Sequence, residues 1–426
     1  RPSSRHATAR KSVGRKKADR QQERPQNRPQ ENRKNTMKQS TKAIHCAYQA
    51  PDAYGALSMP VYHTAAYEFA DADIMADAFC GRVPLPDYSR ITNPTVIYLE
   101  KKIKELTGAS ATYAFSSGMA AIANTLMCLA SSGKTIISSN HLFGNTWLLI
   151  AKTLARFGVK SKFIDLTDLQ AVKQALDAGG ACCIYAEIIS NPHQEVVDLK
   201  ALSALAHEAG VPLVADTTMI PFTCFSAREL GVDIEVVSST KYLSGGATTL
   251  GGLVMAYGEC EDFREAMKEM VLNLGAYMSP HAAYMQTLGL ENLNARYSLE
   301  SANTLEIARR LREIPAVRKV TYLGLEDNPF HELANRQFGG TYGAMLTIDL
   351  ADRQACFDFL NRLKLVKRAT NLFDNRSLAI HPASTIFGTF SEQERLELDI
   401  FDTTIRLSIG LEDADDIFED LKQALQ

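Results

Sequence analysis

Between about residue 94 and residue 256 the apolar positions follow two alternating rhythms. PTVIYLEKKIKEL places them three and four apart behind Pro94, which predicts a helix entered through proline. GMAAIANTLMCLA reads as a buried helix, and TWLLIAKTLARFG, DLQAVKQALDAG and LKALSALAHEAG predict further helices. Between them lie TIISSN, KSKFID, ACCIYAEII, PLVADTT and DIEVVSS, which are β-branched or apolar runs of strand length. The alternation implies βαβ units, hence an α/β fold with a mostly parallel sheet covered by helices. After GGLVMAY the rhythm changes. A helical region spans roughly 261–313, then KVTYL, AMLTIDL and TTIRLSIGL predict strands, and QACFDFLNRL and DDIFEDLKQAL predict helices. This second pattern is that of a smaller α+β domain. A chain of 426 residues exceeds what one hydrophobic core usually serves, so the expectation is a large domain over 94–285 and a C-terminal domain over 286–426.

Composition alters the picture at one end. Residues 1–36 hold twelve Lys/Arg against three Asp/Glu and almost no large apolar side chain; their net charge is +9, leaving −12 for the rest. Such a segment cannot bury enough surface to offset its ordering entropy and reads as disordered. An Arg-rich targeting segment is one reading of it; a passive basic arm, or non-native sequence upstream of Met37, is preferred. Its charge alone makes no nucleic-acid reader, and it lacks the apolar core of a secretory signal. No run of 18 apolar residues exists, so no spanning helix is expected. The eight cysteines (Cys46, Cys80, Cys128, Cys182, Cys183, Cys224, Cys260 and Cys356) form no CxxC pair, which argues against zinc and against a disulfide framework. A reducing cytoplasm is the simplest setting.

In open α/β sheets ligands bind beyond the carboxyl ends of the strands, so chemistry is sought there. SSGMAAI opens a helix with small residues, where free N–H groups and the helix dipole suit a phosphate; an ordinary cap by Ser116 or Ser117 is the plainer reading. PLVADTT delivers Asp216, which can pair with a cation or merely cap a turn. SSTKY brings Ser238, Thr240 and Lys241 together, and EIISNP brings Asn191. A phosphate site, an acid and a lysine amine together match the needs of pyridoxal 5'-phosphate.

With YSRITNPT, SSGMAAI, NHLFGNT, ADTT, SSTKY, HPAST and IRLSIGLED in this order from Met37 onward, the chain resembles the Cys/Met-metabolism, cystathionine γ-synthase-like family of fold-type I pyridoxal-phosphate enzymes. The resemblance implies a seven-stranded, mostly parallel sheet domain. It implies that Lys241 holds the cofactor covalently and later moves protons at the substrate's α and β carbons. Asp216 would pair with the pyridine nitrogen. Ser117, the backbone of Gly118 and Met119, and the hydroxyls of Ser238 and Thr240 would hold the phosphate. Phe143 would stack on the ring, Asn191 would lie near the 3-oxygen, and Arg406, with Asn371 beside it, would bind the substrate carboxylate. Tyr88 and Arg90, on an N-terminal arm over 37–93, would reach the phosphate of a neighbouring subunit, which implies a dimer at least and commonly a tetramer. No metal is implied.

Two positions depart from the family pattern. Phe143 stands where tyrosine is usual, which removes a hydroxyl able to carry a proton. Gly246 stands where histidine is frequent, which gives the loop after Lys241 more freedom. The reaction follows from smaller cues. Methionine γ-lyase-like members carry cysteine at the position of Asn145 and Ser-Leu-Gly where this chain has Asn371-Leu-Phe. The asparagine resembles O-acetylhomoserine sulfhydrylases, as do TTLGG and the SEQER that follows HPAST. The length from Met37, 390 residues, is compact for that group. The expectation is γ-replacement on an O-acylated homoserine by a sulfur donor, giving homocysteine or methionine. Methionine γ-lyase or cystathionine-type elimination is the alternative, and a catalytically poor pyridoxal-phosphate-binding paralogue is the reading from another class.

Overall fold

Four strands whose residues are nearly all buried form the centre of the larger sheet: β4 (Ala181–Glu187), β5 (Leu213–Asp216), β6 (Ile234–Val237) and β7 (Gly252–Ala256). Their apolar runs lack polar alternation because helices cover both faces. With β1 (Ala111–Phe115), β2 (Thr135–Ser139) and β3 (Lys160–Ile164) they make a seven-stranded sheet in the order β1-β7-β6-β5-β4-β2-β3. The pairs from β6 through β5, β4 and β2 to β3 are parallel, while β7 runs antiparallel to both β1 and β6. The sheet is therefore mostly parallel, as expected, with one reversed strand near its edge. This computed structural model describes residues 37–45 and 54–426; the basic segment 1–36 and Cys46 lie outside the described residues.

The helices start where the sequence offers caps. Asn93 accepts from Thr95 N–H ahead of Pro94, and this helix (Pro94–Thr107) ends on Gly108 in the left-handed conformation. Asp168, Asp198 and Asp352 cap three others in the same way. TWLLIAKTLARFG is helical throughout, but it passes through a π turn over Leu149–Thr153 and a 3-10 turn over Leu154–Phe157.

A five-stranded sheet follows: β8 (Lys319–Thr321), β9 (Met345–Asp349), β10 (Lys367–Arg368), β11 (Leu378–Ile380) and β12 (Thr404–Ser408), in the order β10-β11-β12-β9-β8. The long helix Leu293–Leu311 joins the two halves. Its start, with Leu293 and Tyr297, packs into the core of the larger sheet, and its end, with Ile307, Ala308 and Leu311, packs under the smaller one. Residues 39–426 hold together as one unit. That packing brings β12 and the segment before β11 over the carboxyl ends of β4, β5 and β6, where the cavity described next opens.

Candidate active site

The carboxyl ends of β4, β5 and β6 line a cavity of about 300 Å3. Of the residues expected from sequence, Ser117, Gly118, Met119, Phe143, Asn191, Asp216, Ser238, Thr240, Lys241, Asn371 and Arg406 all line it. Tyr88 and Arg90 do not. Tyr88 is exposed, the Arg90 guanidinium sits 5.6 Å from the centre of its ring, and Arg90 Nη1 donates to the Leu272 carbonyl at 2.5 Å. A larger cleft of about 620 Å3, bordered by His141, His193, Arg312 and Asp349, shares no lining residue with this cavity.

One end of the cavity suits an anion. Ser117 caps the helix Gly118–Leu129, its Oγ accepting from Ala120 N–H at 3.1 Å and its carbonyl from Ala121 N–H. The amides of Gly118 and Met119 come before that ladder and stand at the positive end of the helix dipole. Ser238 closes the other side. A Cβ on Gly118 would lie 2.6 Å from the Cβ of Ser238, so only glycine lets the helix start approach the strand end this closely. Thr240 Oγ1 is held by Gly251, accepting from its N–H at 3.0 Å. Gly118→Ala is expected to push the two sides apart and weaken pyridoxal-phosphate binding about tenfold, read by equilibrium dialysis of cofactor-stripped protein. An unchanged affinity would show that the close approach is irrelevant to the phosphate.

At the ring end, Asp216 terminates β5 and pairs in register with Glu187 at the end of β4. Thr218 N–H donates to Asp216 Oδ1 at 3.0 Å, and the Tyr185 hydroxyl donates to Oδ2 at 3.2 Å. Glu187 Oε1 accepts from Phe143 N–H at 2.7 Å, which fixes the loop carrying that ring. Burial raises both carboxyls, and Glu187, which also feels the charge of Asp216, is raised well above the carboxylate range. Backbone N–H donors resist the rise at Glu187; at Asp216 Thr218, Tyr185 and the nearby charge of Lys241 resist it, so of the two Asp216 is held closer to its charged form. A buried carboxylate aimed into the cavity fits a pyridinium partner.

Lys241 follows β6 and points into the same space, its Nζ donating to Asn371 Oδ1 at 2.8 Å. Burial, reinforced by the charge of Arg406, lowers its pKa to about 8. Arg406 stands on β12 and is 3% exposed; Nη1 donates to Asn191 Oδ1 and Nη2 to the Asn371 carbonyl, each at 3.1 Å. Burial lowers its pKa to about 9, so a bound carboxylate would relieve an unmet charge. The phosphate cradle, the acid, the amine and Phe143 at the wall together fit pyridoxal 5'-phosphate.

The Gly245–Gly246 pair after the lysine is under geometric demand. Gly246 has φ +126°, a conformation that strains any residue with a side chain, and a Cβ there would lie 2.5 Å from Asn375 Nδ2 and oblige that side chain to move. Sequence reasoning overlooked Glu187, Tyr185 and Thr218. Glu187 had a visible signal, because ACCIYAE ends on an acid at a strand terminus just as PLVAD does.

Comparison with known proteins agrees with this chemistry. The profile of the Cys/Met metabolism PLP-dependent enzymes matches residues 40–426. An L-methionine gamma-lyase of Pseudomonas putida is 36% identical over 91% of this chain and 97% of its own. An O-succinylhomoserine sulfhydrylase of Pseudomonas aeruginosa is 37% identical over 86% and 90%. Among solved structures, a Campylobacter jejuni protein described as an O-acetylhomoserine (thiol)-lyase, crystallised with a pyridoxyl-lysine-5'-monophosphate residue, superposes with a TM-score of 0.87 at 30% identity, covering 91% of this chain and all of that one. The chain is a fold-type I pyridoxal-phosphate enzyme of sulfur amino-acid metabolism and belongs to the Cys/Met metabolism PLP-dependent family.

Proposed function

We propose that this enzyme performs γ-replacement on an O-acylated homoserine, with a sulfur nucleophile taking the place of the acyloxy group. The observation that carries this reading is Phe143 in the cavity wall. After the γ-substituent leaves, elimination needs a proton delivered to the γ-carbon, whereas replacement needs a nucleophile there. Phenylalanine offers no dissociable proton, and Ile189, Leu372 and Ile386 add further apolar wall without one. The cofactor supplies the electron sink. Arg406, held by Asn191 and Asn371, orients the substrate through its carboxylate. Lys241 takes the α proton and shuttles protons at the neighbouring carbon, with Asn371 steadying its amine.

The test is a pair of incubations. O-acetylhomoserine or O-succinylhomoserine with sulfide is expected to yield homocysteine, and methionine alone is expected to yield little 2-oxobutyrate. The reverse pattern would establish the lyase alternative. Which acyl group is preferred follows from comparing the two esters.

A second copy of the chain is proposed to complete the phosphate end with Tyr88 and Arg90. Support comes from exposed apolar side chains on the same N-terminal arm, Leu57 at 98% and Phe79 about half exposed, and on the helix end that Arg90 bonds, where Leu272 and Leu274 stand about half exposed. Light scattering is expected to give a dimer or tetramer, and a monomer that binds cofactor at full affinity would refute the shared site. A reducing, cytoplasmic setting is supported by the seven described cysteines, all of them free. No described helix is long and apolar enough to cross a membrane. Cell fractionation that finds the protein in an oxidising compartment would overturn this placement.

A further inference from the structure

Tyr185 is completely buried and does not line the cavity. Yet its hydroxyl is spent on Asp216, the cavity carboxylate that would pair with the cofactor's ring nitrogen. In β4 it lies two residues before Glu187, so both side chains stand on the same face of the sheet, beside β5. From there the phenol donates to Asp216 Oδ2 at 3.2 Å, while Thr218 N–H holds Oδ1 at 3.0 Å. Thr146, three residues beyond Phe143 and itself fully buried, directs its hydroxyl to Met119 Sδ at 3.9 Å, and Asp216 is the side-chain partner of the phenol. Each Asp216 oxygen therefore has a protein donor before any ligand arrives, and the carboxylate plane is set by two different strand ends.

We propose that Tyr185 is a positioning residue that fixes the orientation and basicity of Asp216, and thereby decides how firmly the cofactor's ring nitrogen keeps its proton. The inference rests on the assignment of this cavity to pyridoxal phosphate. A hydroxyl donating to a buried carboxylate favours the charged form. With that donor in place Asp216 is the weaker base, and the proton between it and the ring nitrogen stays on the nitrogen. Without it the proton moves toward Asp216, and the ring withdraws electrons less strongly from the substrate's α-carbon. A phenol that only filled the core would have no such effect, because a phenylalanine ring in its place would fill the same volume.

Tyr185→Phe removes one oxygen and keeps the packing. In holoenzyme loaded with cofactor labelled with 15N in the ring, the nitrogen resonance of Tyr185→Phe is expected to shift toward that of neutral pyridine. Equilibrium dialysis of the stripped proteins is expected to show pyridoxal-phosphate affinity weakened about tenfold. In an Asp216→Asn background the Tyr185→Phe change is expected to add little to the dialysis result, since the carboxylate charge through which it acts is gone. Tyr185→Phe with an unaltered ring-nitrogen resonance and affinity would overturn the proposal, as would an equal loss of affinity in the Asp216→Asn background. A wild-type chain that takes up no pyridoxal phosphate at all would overturn the cofactor assignment and this inference with it, a result distinct from a wild type that loads normally beside an unaltered variant.

Discussion

Lys241→Ala is expected to leave a folded protein that lacks the visible absorbance of lysine-bound cofactor and turns over about three orders of magnitude more slowly, or less. The size follows from two losses at one atom. On the proposed reading the amine would be the covalent anchor of the cofactor and the group within the cavity that would move the α proton. Burial and the nearby charge of Arg406 lower its pKa to about 8, so the amine is uncharged far more often than an ordinary lysine. At neutral pH the uncharged fraction is roughly two orders of magnitude above that of a lysine at its usual value. The sign can be checked in the wild type. Reattachment of pyridoxal phosphate to stripped protein is expected to accelerate as pH rises and to level off just above 8, because only the neutral amine attacks an aldehyde. A rate that keeps climbing to pH 10 would mean that the amine is not depressed. A Lys241→Ala protein that keeps both the band and the turnover would remove Lys241 from the mechanism.

The parts of this site carried by short motifs were legible in the sequence, because each motif supplies its chemistry from consecutive residues. Ser238, Thr240 and Lys241 leave one strand end together, and Ser117, Gly118 and Met119 form one helix start. The central strands were legible for a different reason: burial on both faces writes PLVADTT and DIEVVSS as unbroken apolar runs. What stayed hidden depends on pairing across the chain. ATYAF becomes β1 only because β7 turns back beside it, and the three residues of β11 are held as a strand by β12. No local pattern announces either. Glu187 and Tyr185 face Asp216 because β4 and β5 pair in one particular register, which a one-residue slip would abolish. Gly246 illustrates the same limit. Beside Gly245 it reads as added freedom, but the folded loop holds it at φ +126° against the Asn375 side chain, more than a hundred residues later, and that conformation is what favours glycine.

Arg406→Ala is expected to lower kcat/KM for a free amino-acid substrate by roughly 150- to 5,000-fold, mostly through KM, as removing one partner of a buried charge pair costs about 3–5 kcal/mol. Arg406 reaches the cavity from the second sheet, and its two bonds, to Asn191 and to the Asn371 carbonyl, leave the guanidinium fixed without a neutralising anion. Burial alone lowers its pKa to about 9, which measures how poorly the surroundings solvate that charge. A substrate carboxylate answers both needs, since its two oxygens match the planar fork and its charge offsets the desolvation. Two controls separate this role from a general loss of structure. Arg406→Lys keeps the charge but loses the fork, so it is expected to fall between wild type and Arg406→Ala. The carboxamide analogue of the substrate, which has no charge to bind, is expected to react poorly with wild type and to lose little more in Arg406→Ala. Equal losses for acid and amide would show that the arginine supports the fold of β12 and not the substrate. Because Asn371 also accepts from Lys241, the same asparagine ties the Arg406 guanidinium to the amine proposed to move the α proton. Displacing the fork therefore also displaces the base, and a smaller drop in kcat is expected alongside the rise in KM.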